Sequence, residues 1–198
     1  MALPRLRRTL EEYFALERES DVRYEYFDGQ ITMMSRASPS HERIISDVDT
    51  QLNNQLQDGR CEDFLSNMRI EVDKRAYLYG DLSVVCGEAR FTRHQGLDTL
   101  TNPTVIIEIT SPSTGLFDRR EKFWRYQVID SLQEYVLVSQ EQPVIEVYRR
   151  TADVWLYSKV EGLDATLTVE SIGCTLSLAA VYRRVTFDRP DSMPDADA

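Results

Sequence analysis

The sequence predicts a single soluble α/β domain, on three observations. Segments with helical apolar period alternate with short β-branched runs, one such run is apolar on both faces like a central strand, and no linker divides the chain. Its 198 residues suit one core of the usual size, roughly 100–200 residues. The expected division is a domain over 1–187 followed by an acidic tail over 188–198, whose Asp and Pro content with little apolar material reads as disordered.

Thr9 and Glu12 have capping-box spacing, and Leu10, Tyr13, Phe14 and Leu16 follow near helical period, so a helix is expected over 9–19. Tyr24–Phe27 and Gln30–Met34 flank Asp28-Gly29, a dipeptide suited to the positive φ angles of a tight hairpin. Ser38-Pro39 reads as an N-cap with proline at the first helical position, and Ile44, Ile45, Val48, Leu52 and Leu56 carry the helix toward Gly59. His41 falls on or beside the inward face of that helix.

Cys61–Val72 reads as one long or two short strands, with a turn at Asp73-Lys74 and a further strand at Asp81–Val85. The polar stretch Gly87–Asn102 is expected as a loop. Thr104–Thr110 (TVIIEIT) is the doubly covered run. Helical character follows over Asp118–Ile129, then strands at Glu134–Ser139, Val144–Arg149 and Val154–Lys159, and a weaker one at Ala165–Val169. The late strands are left as sheet edges, which must be covered or paired, so a homodimer is expected.

Composition excludes several classes. Hydrophobic residues at 42% and charged residues at 28% fit a globular chain rather than a fibrous, membrane or wholly disordered one. No apolar run approaches the ~20 residues needed to span a bilayer, and Met1–Leu10 lacks the apolar stretch of a signal peptide, so a cytoplasmic protein without a membrane partner is expected. Twenty-three basic against thirty-three acidic residues leave a net charge of −10, so any DNA contact must be local. The three cysteines, Cys61, Cys86 and Cys174, show no C-x-x-C spacing and are expected as buried free thiols.

Glu108 is the anomaly within TVIIEIT. An unpaired carboxylate in a central strand costs several kcal/mol, so it requires a cation, a proton or a basic partner. One answer is a divalent metal shared with Asp81, which opens another short apolar strand. Two hard oxygen ligands, with other positions left to water and phosphate, suit Mg²⁺ better than zinc. The plainer answer is that Glu108 pairs with Arg69, Arg125 or Lys122 and that Asp81 is a turn residue. Asp118, Lys122 and Tyr126 recur at i, i+4 and i+8 on one helical face, which either looks into the same cleft or holds a surface ion pair with Tyr126 half-buried. Ser111 and Ser113 lack the G-x-S-x-G elbow of a serine hydrolase.

Six blocks, YEYFDGQI (Tyr24–Ile31), MSRASPSHERI (Met34–Ile44), GDLSVV (Gly80–Val85), NPTVIIEITSPST (Asn102–Thr114), DRREKFWRY (Asp118–Tyr126) and EYVLV (Glu134–Val138), resemble the Uma-type restriction endonuclease family of the PD-(D/E)XK nuclease superfamily. The resemblance implies a restriction-endonuclease-like core, a mixed β-sheet flanked by helices. It also implies an Asp and a Glu on adjacent strands that bind Mg²⁺ or Mn²⁺. Asp81 matches the aspartate of the PD element and Glu108 the acid of E-x-K. The E-x-K lysine position is Thr110, and the family's displaced lysine matches Lys122. Glu25 matches an early acidic residue of the motif series, and His41 the histidine of the SPSH block, either as a proton carrier or as a core-facing imidazole.

Gly80 departs from the family's proline and would loosen the turn before Asp81. The expected activity is phosphodiester hydrolysis in DNA, with local positive charge from Arg36, Arg43, Arg69, Arg119, Arg120 and Arg125. The rival is a catalytically inactive nuclease-fold protein acting as a binding or assembly module. A carboxylate-pair glycosidase has nothing positive to support it.

Overall fold

The computed structural model describes residues 7–34, 36–112, 114–152 and 154–187; the tail expected at 188–198 lies outside the described residues, as do Ser35, Ser113 and Asp153. Helix α1 (Leu10–Glu19) starts at the expected capping box, with Glu12 N donating to Thr9 Oγ1 at 3.2 Å and Thr9 N to Glu12 Oε2 at 2.8 Å. It buries Tyr13 and Phe14 against Tyr26 and Tyr77. Strands β1 (Tyr24–Phe27) and β2 (Gln30–Met33) form the expected hairpin, with φ +49° at Asp28 and +87° at Gly29.

Helix α2 (Pro39–Asn53) is capped by Ser38, whose Oγ accepts from His41 N at 3.1 Å. It ends at Asn53 rather than near Gly59, and Leu56 is buried from the turn that follows.

Strands β3 (Cys61–Leu65), β4 (Arg69–Asp73), β5 (Ala76–Tyr79) and β6 (Leu82–Cys86) come next. One of these strands is unread in the sequence, and one expectation needs correction. The four residues of β5 carry no periodicity long enough to mark them as a strand. Gly87–Asn102 is not a loop: β7 (Phe91–His94) and β8 (Leu97–Leu100) form a hairpin whose turn, Gln95-Gly96, has φ +49° and +87°. Central β9 (Val105–Thr110) is buried along its whole length.

Three short helical pieces then run end to end: α3 (Gly115–Phe117), a π-helical turn (Asp118–Lys122) and α4 (Phe123–Tyr126). Strands β10 (Glu134–Ser139), β11 (Val144–Thr151), β12 (Val154–Glu161), β13 (Thr166–Val169) and β14 (Cys174–Ser177) and helix α5 (Leu178–Val181) complete the order.

The architecture is mixed α/β. One six-stranded sheet has the order β2-β1-β5-β4-β8-β7 and the other β12-β11-β10-β9-β6-β3, while β13 and β14 pair separately. In the second sheet β9 runs parallel to β10 and antiparallel to β6. Residues alternate across β9 as a pleated strand requires. Val105, Ile107 and Ile109 join the core under α2, α5 and β13–β14. Ile106 joins Ile70 and Leu78 of the first sheet, with Tyr126 and Tyr135. Glu108 follows Ile106 on that second face, so it lies between the sheets and beneath the helical pieces.

The register pairs Cys61 with Cys86, and the two form a disulfide, which corrects the expectation of free thiols; Cys174 alone among the three is a buried thiol. The pairing follows from strand register, which residue spacing does not encode. Of the two late strands, only β12 is an edge. Among the described residues no helix is long and apolar enough to cross a membrane.

Candidate active site

The chain leaves the first sheet at Tyr79 and enters the second at Leu82, so Gly80 and Asp81 are the crossing between sheets. A β-carbon on Gly80 would stand 2.9 Å from Cγ2 of Ile106, a fully buried side chain. The glycine is therefore a packing requirement of this crossing rather than a loosened turn, which corrects the reading of the missing proline. Asp81 is pinned on both sides. Its Oδ2 accepts from Ile109 N at 2.7 Å and stands 3.0 Å from His41 Nε2.

Leu82 pairs with Ile107, which sets Asp81 beside Glu108 on the antiparallel β6–β9 ladder. Lys122 Nζ reaches Glu108 Oε1 at 3.0 Å, Glu25 Oε1 at 3.1 Å and the Tyr79 carbonyl at 3.0 Å. An ammonium has three N–H donors, and all three are occupied. Tyr126 OH lies 3.4 Å from Glu108 Oε1, and Tyr79 N donates to Glu25 Oε1 at 3.3 Å. Asp118, Lys122 and Tyr126 share the inner face, as their spacing allows, and all are buried. The alternative of a surface pair with a half-buried tyrosine does not hold.

All five residues singled out in the sequence, Glu25, His41, Asp81, Glu108 and Lys122, thus meet in one place. One further contributor escaped notice. The Tyr79 main chain offers both a donor and an acceptor, and no sequence signal marks a backbone contact. The Asp118 carboxyl joins them from the inward helical face that its spacing with Lys122 and Tyr126 offered.

The charges around Lys122 do not balance. Burial pushes Glu108 well above the usual carboxylate range; the Lys122 charge opposes this, and Asp81, Asp118 and Glu25 reinforce it. Asp118 is raised by burial against the pull of Lys122 and a hydrogen bond from Thr114, with Asp81 and Glu25 adding to the rise. Burial works against the charged form of Lys122, yet Glu108, Glu25 and Asp118 overcome it and hold the ammonium well above its usual range. His41 behaves alike: burial disfavours its cation, and the hydrogen bond and charge of Asp81 more than restore it. Glu25, Asp81, Glu108 and Asp118 therefore crowd around one lysine and one imidazole.

Hard oxygen donors with unmatched negative charge fit a divalent ion such as Mg²⁺. Among the described residues no group of three or more His, Cys, Asp or Glu side chains stands ready to hold a metal. Asp81 and Glu108 are the pair of hard oxygen donors that would hold such an ion.

The arginines divide. Arg36, Arg43 and Arg120 are exposed, Arg119 is paired with Glu146, and Arg125 lies 3.6 Å from the centre of the Phe27 ring. Arg69 is 3% exposed, bonded to Glu17 at 3.3 Å and to Thr99, so it is no phosphate contact. Its early expectation as a surface cation is corrected.

Residues 10–180 match the family described as "Uma2: Putative restriction endonuclease". Two relatives from Synechocystis sp., each described as an uncharacterized protein (slr1290 and sll1609), are 34% and 32% identical over 179 and 161 residues. The matches cover 89% and 80% of this chain, and 92% and 90% of theirs. The chain is also similar in fold to a crystal structure from Anabaena variabilis described as "a putative nuclease belonging to DUF820", with a TM-score of 0.72, 22% identity, and coverage of 88% of this chain and 97% of that one. At that identity the likeness speaks to fold alone.

Proposed function

Since the chain belongs to the Uma2 restriction endonuclease family, we propose that it is a metal-dependent endonuclease that hydrolyses phosphodiester bonds in DNA. In this reading Asp81 and Glu108 are the ligands of a Mg²⁺ or Mn²⁺ ion, and Lys122 stands near the attacking water. The observation that carries the reading is the charge imbalance: two carboxylates on adjoining strands, with Glu25 and Asp118 close by, exceed what Lys122 can neutralise. The bound ion would supply the Lewis acidity that polarises a phosphoryl oxygen and acidifies water.

The remaining work falls to the chain's own residues. Ile109 N–H and His41 hold Asp81 in one orientation, so its second oxygen keeps a fixed direction. Tyr126 and Lys122 hold Glu108 in the same way. Lys122 gains a free N–H for water or a phosphate oxygen as soon as Glu108 turns away from it. Glu25 then keeps the ammonium charged and in place. Exposed Arg36, Arg43 and Arg120 are the candidates for backbone phosphate.

The test is nicking of supercoiled plasmid in Mg²⁺ or Mn²⁺ by the wild-type chain, Glu108→Gln and Asp81→Asn. Mn²⁺ binding is followed by electron paramagnetic resonance on the same samples. The reading expects cleavage and tight Mn²⁺ only in the wild type, and equal cutting by all three would remove these residues from the mechanism. The full occupation of Lys122 favours a second reading, a nuclease-fold chain that binds without cutting. That reading expects no Mn²⁺ binding that depends on Asp81.

A further inference from the structure

Strand β12 closes the second sheet, and its eight residues pair with β11 in unbroken register, without proline or bulge. Neighbouring hydrogen bonds decide which side of β12 is free. Arg150 N donates to Gln133 O, so the even-numbered residues of β11 face β10 and the odd-numbered ones face β12. Gly162 N donates to Pro143 O, which agrees. Leu156, Ser158 and Val160 therefore direct their N–H and C=O groups to β11. Trp155, Tyr157, Lys159 and Glu161 direct theirs away from the sheet. Native edges are usually shortened, bulged or charged along their length. This one carries charge only toward one end, at Lys159 and Glu161, and exposes Val154, Leu156 and Tyr157 by 55%, 54% and 53%.

We propose that this edge joins two copies of the chain, β12 against β12, antiparallel about a two-fold axis at Ser158. A second copy is the occupant that the edge itself specifies, because an antiparallel strand paired with its twin matches every outward donor to an outward acceptor. Opposed residues in such a ladder must both point outward or both inward, which limits the axis to passing through a residue rather than between two. With the axis at Ser158, Tyr157 stands opposite the partner's Lys159, Trp155 opposite the partner's Glu161, and Leu156 opposite the partner's Val160. No like charges face each other directly. Lys159 and Glu161 cancel within each edge, so a chain of net charge −10 meets its copy along a strip with no net charge. The carboxylate cluster on β9 is separated from this edge by β10 and β11 and stays uncovered. The inference is independent of any nuclease activity.

Two variants test it on the full chain. Tyr157 directs its N–H outward, so Tyr157→Pro removes a donor from the free edge and none from the β11 ladder, a place where strands tolerate proline. Sedimentation equilibrium should give twice 22.9 kDa for the wild type and 22.9 kDa for Tyr157→Pro, with unchanged far-ultraviolet circular dichroism. Ser158→Cys covers the case in which the proline variant misfolds. Its two thiols would face each other in a non-hydrogen-bonded pair with Cα atoms about 4.5 Å apart, within disulfide reach. Mild oxidation should then give a covalent dimer at least about ten times faster than for Ser46→Cys, an exposed position on α2. A monomeric wild type at the highest soluble concentration, or equal cross-linking rates for the two cysteine variants, overturns the proposal.

Discussion

Replacing Lys122 by methionine keeps the length of the side chain and removes its charge. Glu108 and Glu25 then lose their shared cation at 3.0 and 3.1 Å, and the Tyr79 carbonyl loses its donor. Removing one member of a buried ion pair costs about 3–5 kcal/mol, because the other charge is left stranded. In a chain of this size each kcal/mol shifts the melting midpoint by about 2–4 °C, so a fall of roughly 6–20 °C is expected. Glu108→Gln should behave oppositely. Burial and three neighbouring carboxylates already disfavour the Glu108 charge, and Lys122 keeps Glu25, so this variant should melt within a few degrees of the wild type or above it. The deficit of Lys122→Met should also depend on pH. The folded pKa of Glu108 lies above its ordinary 4.5. The stability tied to its protonated form is complete below that ordinary value and is lost as pH rises through the folded one. The deficit is therefore smallest below the ordinary 4.5 and grows as the pH is raised above it. Thermal melts followed by circular dichroism across that range are the assay. A Lys122→Met protein that melts at or above the wild type, or a Glu108→Gln protein that loses as much, refutes the claim that this cluster is short of positive charge.

Other outcomes follow from the same structure. Gly80→Ala drives a methyl into Ile106 and should cost about 1–3 kcal/mol in urea unfolding, and a neutral result would mean the crossing has slack. Arg69→Met strands Glu17, 5% exposed at its side chain, and should cost about 3–5 kcal/mol while leaving DNA affinity unchanged in a gel-shift titration. Burial and the neighbouring Asp63 raise Asp49 to about 6, so the contribution of its protonated form is complete below the ordinary 3.8 and is lost as pH passes 6. Asp63→Asn should therefore gain stability at pH 8 and little at pH 4, by under about 1 kcal/mol given the exposure of the pair, and urea titrations at the two pH values measure this. Reducing Cys61–Cys86 opens a separation of 25 residues, for which chain entropy gives a loss of about 3.5 kcal/mol, read as a lower urea midpoint in reductant.

The sequence was legible where local chemistry and tertiary position agree. Thr9, Ser38 and Asp28-Gly29 satisfy backbone groups within a few residues of themselves, so the two long helices and the first hairpin stand where expected. Glu108 could be read because a lone carboxylate in an apolar strand contradicts its surroundings. The β7–β8 hairpin could not, since β7 exposes its Phe91, β8 buries Thr99 and Leu100 side by side without a period of two, and the turn is Gln-Gly rather than Asn-Gly. Strand β5 is too short to show a period, and it takes its burial from both neighbours, β1 and β4. The fate of Arg69 and of the Cys61–Cys86 pair depends on partners 52 and 25 residues away, which spacing does not reveal. The end of α2 was misjudged for a similar reason: Gln55 leaves the helix and exchanges hydrogen bonds with Thr175, 120 residues later.

Two main-chain amides, those of Tyr79 and Ile109, donate straight to the acids Glu25 and Asp81. They report on the cluster from the backbone, where any side-chain variant leaves them in place. Their proton resonances should move downfield while those acids are ionised and drift back as a cation draws the oxygens away. One two-dimensional nitrogen–proton spectrum, recorded during a Mg²⁺ titration, could thus watch each sheet answer the ion separately, one peak per sheet, without labelling a single side chain.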